Sequence, residues 1–215
     1  MVKLGCKNAK LFLTEPYIFN NMSDSINNSI ADLLFEANIL KKIPRSGFHF
    51  LGAGKESVAE HVFITTFIAY VISKIMPDID ALRLITMCLV HDLTEARTGD
   101  LNYVQKKYVR AEENKALKDA TRNILFGDSL ADLIHEFNEG KSPEAELARD
   151  ADQLSLILEL KSLIDIGYKP PEKWLPFVLG RLKTKTGKKL SKSILKTPED
   201  SWWFKDYVDV SERNN

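Results

Sequence analysis

DALRLITMCLVHDLTEARTGD, residues 80–100, decides how the rest of the chain is read. Asp80 is a helix-opening residue type, because its carboxylate accepts from amides of the first turn. Behind it Leu82, Ile85, Leu89, Val90 and Leu93 recur at helical spacing and on several faces, which predicts a central, buried helix ending near Thr98-Gly99-Asp100. Inside that apolar run stand a histidine and an aspartate side by side, His91-Asp92. Burying an ionised carboxylate costs several kcal/mol unless it is paired or coordinated, so the dipeptide needs a partner from elsewhere in the chain.

The flanking segments are helical in pattern too. Upstream, Ile26, Ile30, Leu33, Leu34, Ala37 and Leu40 mark one face of a helix that Pro44 and Gly47 terminate. A second helix, opened by Glu56 or Ser57, carries Val58, His61, Val62, Thr65, Ile68, Ala69, Ile72 and Ile75 up to Pro77. Downstream, a charged amphipathic helix is expected over 110–126 with Gly127 as its stop, and a short one from Leu130 to Phe137 closed by Gly140. Ser142-Pro143-Glu144 is a start signal (cap, proline in the first turn, acid), and the helix it opens runs to Ile166 before Gly167. After Pro170-Pro171 another apolar side follows with Trp174, Leu175, Phe177, Val178 and Leu182. No alternating strand pattern, repeat or long linker interrupts residues 25–180. The expected fold is all-α, a single helical bundle of six or more helices. Residues 1–22 are expected to be an N-terminal arm, 23–183 the domain, and 184–215 a basic helix with an aromatic tail packed on it.

Composition excludes little but is informative. Of 215 residues, 44% are hydrophobic and 28% charged, and thirty basic residues balance thirty acidic ones. That balance advertises neither a nucleic-acid nor a membrane partner. No run of eighteen apolar residues marks a membrane span, and the first residues are too weakly apolar for a signal peptide. Cys6 and Cys88 are far apart and are expected to be free thiols in a reducing, cytoplasmic compartment.

His61 lies on or beside the apolar stripe of the preceding helix, and Asp152 lies on the long helix among Ala148, Leu154, Leu156 and Ile157. Three helices would thus present two imidazoles and two carboxylates, a mixed nitrogen and oxygen set that suits manganese, iron, cobalt, nickel or zinc better than calcium. Four protein ligands on a six-coordinate cation would leave positions for water and substrate. Asp150 is a rival to Asp152: two positions apart on a helix, the two point in opposed directions and only one can face the site.

The ordered set His61 … His91-Asp92 … Asp152 resembles the HD-domain metal-dependent phosphohydrolases. Glu56-Ser57-Val58-Ala59-Glu60-His61, His91-Asp92-Leu93-Thr94-Glu95 with Thr98-Gly99-Asp100, and Asp150-Ala151-Asp152-Gln153-Leu154 are similar to its 5′-deoxynucleotidase branch. The resemblance covers about residues 33–170. It implies His61, His91, Asp92 and Asp152 as ligands of one divalent metal ion, and Glu95 as the acid that contacts the attacking water. It implies Asp100 as a second acid near the phosphate, a role weighed equally against capping of the loop. Arg45 is implied as the group that grips substrate, and Phe48 stands where relatives carry tryptophan, so nucleoside contacts are expected to differ. The implied activity is release of phosphate from a (deoxy)nucleoside 5′-monophosphate. The alternatives are a phosphodiesterase or other nucleotide hydrolase, or a nucleotide sensor without turnover. A homodimer is expected by the same resemblance.

The remaining candidates have blander readings. His135 and His49 are expected to be ordinary surface or loop histidines. The basic stretch from Arg181 to Lys196 lacks interleaved aromatic residues and is expected to be a solvated helix face rather than a nucleic-acid platform. Trp202, Trp203 and Phe204 are expected to pack on the domain or on a second subunit.

Overall fold

A computed structural model of the chain describes residues 24–213, with side chains to Tyr207. The expected N-terminal arm and Cys6 lie outside the described residues. Among those residues there are eleven α-helices and no strand, only an isolated bridge between Pro44 and Ser57. In chain order the helices begin with α1 (Asp24–Ile39), α2 (Phe48–Leu51), α3 (Val58–Ile75) and α4 (Ala81–Val90). Next come α5 (Glu95–Thr98), α6 (Glu113–Ala120), α7 (Gly127–Glu139) and α8 (Pro143–Asp165). The chain closes with α9 (Leu175–Arg181), α10 (Lys185–Lys196) and α11 (Ser201–Arg213).

Local chemistry sets the starts of the long helices. Ser57 and Glu60 form a reciprocal capping box at α3, Asp80 accepts from the Arg83 amide at α4, and Ser142 accepts from the Ala145 amide at α8 ahead of Pro143. The centre of the bundle is α3, α4 and α8, each packed on the other two, with α7 against α4 and α8. One core joins Ala69 and Ile72 of α3, Leu84, Met87 and Cys88 of α4, and Leu147, Ala148 and Ala151 of α8. A second core lies farther along α8, where Leu154, Ile157 and Leu160 meet Leu51, Val178 and Leu182.

Several expectations change. The helix begun at Asp80 stops at Val90; residues 91–94 form turns, and a short separate helix begins at Glu95. It buries Leu84, Met87 and Cys88, whereas Leu82 and Leu89 are more than half exposed, because α3, α7 and α8 cover only one side. The amphipathic segment 110–126 keeps helix only over α6. Asn123 adopts φ 61°, breaking the helix, and Gly127 begins α7 rather than ending α6. Gly127 is required there because a Cβ would sit 2.5 Å from the Thr121 carbonyl oxygen.

α3 has the length and mean hydropathy, 1.4, that a membrane-crossing helix would need, although polar and charged residues interrupt its apolar run. Its apolarity is explained in part by position, since Val58, Val62, Thr65, Ala69 and Ile72 are buried against the bundle. α10 lies against the bundle. Leu190, Ile194 and Leu195 pack against the second core, so the bundle continues past residue 183. The aromatic residues beyond it pack only partly: Trp203 and Phe204 are each 46% exposed and Trp202 is 79% exposed. Trp202 and Trp203 flank a cleft with Asp165 and Ile166.

Candidate active site

α3, the turn after α4, and α8 converge on one point. His61 projects from α3, wholly buried, and its Nε2 lies 3.0 Å from Oδ1 of Asp152 and 3.7 Å from Oδ2 of Asp92. His91 Nε2 lies 3.1 Å from the same Asp92 oxygen. One donor atom each from His61, His91 and Asp92 falls within 4.8 Å of the others, the spacing of groups that can share a cation. The structure thus brings together His61, His91, Asp92 and Asp152.

The break after Val90 makes this geometry possible. His91 caps α4, and its Nδ1 stands 2.8 Å from the Cys88 carbonyl oxygen, which fixes Nδ1–H as donor and turns Nε2 toward Asp92. His61 is held likewise, with Nδ1 3.2 Å from the Ser155 hydroxyl of α8. Phe137 of α7 lies tilted against the His91 ring at 4.7 Å between centroids. Both imidazoles are therefore oriented before any ligand arrives.

Asp150 is excluded from the cluster. Its carboxylate accepts from the amides of Lys183 and Thr184, each at 2.8 Å, and from the Thr184 hydroxyl at 2.6 Å. It is buried and wholly occupied with anchoring the start of α10. Gly187 of that helix has to be glycine, since a Cβ there would lie 2.3 Å from Asp150 Oδ2. Asp152, facing the opposite way on α8, accepts from Gln153 at 2.7 Å and points at His61.

Arg45 enters from the loop before α2. Its amide donates to the Glu56 carbonyl oxygen at 2.8 Å, and its Nη1 lies 3.7 Å from Asp92 Oδ2. Asp100 braces the same loop: its Oδ2 accepts from the Ser46 amide at 2.7 Å. Of its two expected roles, the structure shows the loop contact. Phe48 is placed elsewhere. Its ring packs into the second core, close enough that a Cβ on Gly54 would meet it at 2.9 Å. The short α2 helix turns that half-buried side chain toward Gly54 and the second core. His49 and His135 are exposed, as ordinary surface histidines are.

The electrostatics are those of a site lacking positive charge. Burial lifts the Glu95 carboxyl to about 9, with Asp92 and Asp100 adding to the lift. Burial would lower His91, but the adjacent Asp92 carboxylate outweighs it and holds the imidazole up at about 9. Against their own burial, Asp92 and Asp152 are held below the usual carboxylate range by the two histidines and Arg45. Burial lowers His61. Three buried polar atoms here have no hydrogen-bond partner among the described residues: His91 Nε2, Asp92 Oδ2 and Glu95 Oε2. Buried polar atoms are rarely orphaned; the first two belong to the cluster, and Glu95 is near enough to feel the charge of Asp92 and His91. Two lone-pair nitrogens and two carboxylates around such a centre fit a divalent cation.

Residues 37–194 match the HD domain family. The chain belongs to the HD domain family. A zebrafish (Danio rerio) and a human protein, both named 5′-deoxynucleotidase HDDC2, are each 30% identical to it over 138 residues. Those stretches cover 61% of this chain and 68% and 66% of the two relatives, so the chain spans about two thirds of their length. The fission yeast 5′-deoxynucleotidase hdd1 is 26% identical over 142 residues. A conserved hypothetical protein of Pyrococcus furiosus superposes with a TM-score of 0.62 at 26% identity, covering 85% of this chain and 99% of that one. A predicted metal-dependent phosphohydrolase of Magnetospirillum magnetotacticum shares the fold, with a TM-score of 0.63 at 19% identity over 80% of this chain and 92% of that one.

Two participants were not singled out in the sequence. Glu56 is buried beside Arg45, its Oε2 3.9 Å from Arg45 Nε, and burial with Glu159 nearby raises it to about 7. Ser155, one turn after Asp152, orients His61. The spacing of Asp152 and Ser155 was a usable signal for the second; nothing local distinguished Glu56 from a surface acid preceding a helix.

Proposed function

We propose that this protein is a metal-dependent phosphomonoesterase that releases phosphate from (deoxy)nucleoside 5′-monophosphates. The observation that carries the proposal is the set of orphaned atoms, His91 Nε2, Asp92 Oδ2 and Glu95 Oε2, beside the His61–Asp152 contact. In this reading His61, His91, Asp92 and Asp152 hold one divalent cation, with manganese, iron, cobalt, nickel and zinc all suited to the donor set. When bound, such a cation supplies Lewis acidity toward water and the phosphoryl oxygens.

The chain's own groups do the rest. Glu95 Oε2 is buried and unbonded, and a cation held at the cluster would draw its carboxyl down from about 9 so that the carboxylate can take a water proton. Arg45, with its fork of donors beside Asp92, faces a phosphate that it can grip and neutralise as charge develops. Asp100 holds the Arg45–Ser46 loop in position through the Ser46 amide. A pure binding module would gain nothing from a carboxyl kept unpaired next to the cation position, which favours hydrolysis over a sensor without turnover. Phe48 has no substrate role in this reading.

The homodimer forms, in this reading, through the face of α3 turned away from the core. Phe63, Phe67, Tyr70, Val71 and Ile75 are exposed there, and Phe67 stacks with Phe63 and lies tilted against Tyr70. A cytoplasmic location accords with the free, buried Cys88 thiol. The test of function is direct: protein stripped of metal and reloaded singly with manganese, cobalt, nickel, iron or zinc is assayed for phosphate release from each deoxynucleoside 5′-monophosphate. Turnover with at least one combination is expected, and silence with all of them sinks the proposal.

A further inference from the structure

Beside the cluster lies a cleft of ≈ 720 Å³ whose wall includes Asp152. Its size is that of a small-molecule site, typically about 300–1,000 Å³. Three cations line it, Arg149, Arg181 and Lys183, against two carboxylates, Glu146 and Asp152. In the proposed function Asp152 is committed to the metal ion, which leaves the cleft with a surplus of positive charge. Neither Arg149 nor Lys183 has an ion-pair partner among the described residues. Nothing in the hydrolysis of a singly phosphorylated nucleotide calls for three further cations at this distance from the scissile phosphate.

The cationic wall is built rather than incidental. Buried Asp150 accepts from the Lys183 amide and from Thr184, which pins the loop carrying Lys183 to α8. Gln153 ties both sides together, donating to Asp152 at 2.7 Å and accepting from Arg181 at 3.3 Å. Arg149 is three residues before Asp152 on the same helix, about 4.5 Å along its axis, and shares its face. Asp152 belongs to both the cluster and the cleft wall, so a molecule with one phosphate at the His61–Asp152 cluster has room to extend its leaving group along α8 to the guanidinium of Arg149.

We propose that this cleft is a second anion subsite, and that the preferred substrate carries a further phosphate on its leaving group, as a nucleoside 3′,5′-bisphosphate does. The inference rests on the assignment of the cluster as the scissile-phosphate site. Arginine and lysine without carboxylate partners recognise such a phosphate by charge-assisted hydrogen bonds, with Gln153 holding Arg181 in place.

The test compares thymidine 3′,5′-bisphosphate with thymidine 5′-monophosphate on the metal-loaded protein, by calorimetric affinity and by KM. The bisphosphate is expected to bind at least about tenfold tighter, an advantage that shrinks as salt is raised. In the double variant R149Q/K183Q the advantage is expected to fall below about twofold; both side chains are exposed, and an unchanged melting temperature verifies the fold. Equal affinity of the two nucleotides for the unaltered protein, or an advantage that survives in R149Q/K183Q, overturns the proposal. Hydrolysis of the monophosphate without any preference for the bisphosphate overturns the subsite alone. A binding preference that depends on Arg149 and Lys183, in a protein that hydrolyses nothing, upholds the subsite and overturns the proposed activity.

Discussion

His61 on α3 and Asp152 on α8 meet with Nε2 and Oδ1 3.0 Å apart, while Asp150, two residues away, is locked to the start of α10. The two aspartates thus perform separable jobs, one at the site and one in the fold. Replacing each in turn should separate metal content from stability.

Asp152→Ala is expected to lose bound metal and activity while folding normally, because it removes a side chain from a cleft wall. Asp150→Ala is expected to keep its donor set but to cost about 2–4 kcal/mol of stability, since it strips a buried carboxylate from two amides and a hydroxyl. Metal analysis and urea denaturation of both variants read this out. Equal metal loss in both at unchanged stability would contradict the division.

Glu95→Gln keeps size and polarity but cannot take a proton. The variant is expected to hold metal at full stoichiometry and to lose at least about a hundredfold in kcat, the usual scale for a general base. A rate within threefold of the parent would remove Glu95 from the chemistry.

Metal uptake should release protons. His91 in the metal-free protein is held at about 9 by Asp92, and a ligating imidazole must be neutral. Affinity is therefore expected to rise by up to about tenfold per pH unit between pH 6 and 9, with proton release visible when calorimetry is repeated in buffers of different ionisation enthalpy. A pH-independent affinity over that range would contradict the arrangement.

Glu56 makes a prediction for the metal-free fold. Its pKa is raised by burial to about 7 from an ordinary 4.5, so the folded state binds the proton more tightly than the unfolded one. The resulting stabilisation is fully present below pH 4.5 and is lost as pH rises through 7, by up to about 3 kcal/mol. Glu56→Gln is expected to flatten the fall in stability between pH 5 and 8. An identical slope in the variant would show that another group is responsible.

Arg45→Ala is expected to raise KM for a nucleoside monophosphate by about tenfold or more and to lower kcat, because the guanidinium is placed to meet both ground-state and developing charge. Arg45→Lys should recover only part of this, since an ammonium lacks the planar fork. Steady-state kinetics of the two variants check the order.

Helix starts were legible in the chain because their chemistry is local. Ser57 with Glu60, Asp80, and Ser142 with Pro143 each satisfy amides within three or four residues, so sequence spacing alone places them. The all-α character and the His and Asp residues that converge were readable for a similar reason: buried charge in an apolar stripe stands out whatever packs against it. Other features depended on segments far apart. Whether Asp150 or Asp152 faces His61 turns on where Thr184 lies, and the exposure of Leu82 and Leu89 turns on which side of α4 its neighbours cover. Phe48 turns inward because Gly54, lacking a Cβ, leaves room for its ring. Even His91-Asp92, conspicuous in the chain, needed the helix to stop at Val90 before its side chains could turn toward α3 and α8. Hydrogen bonds a few residues long are written in the order of residues, whereas the direction of a side chain follows from the surfaces it meets.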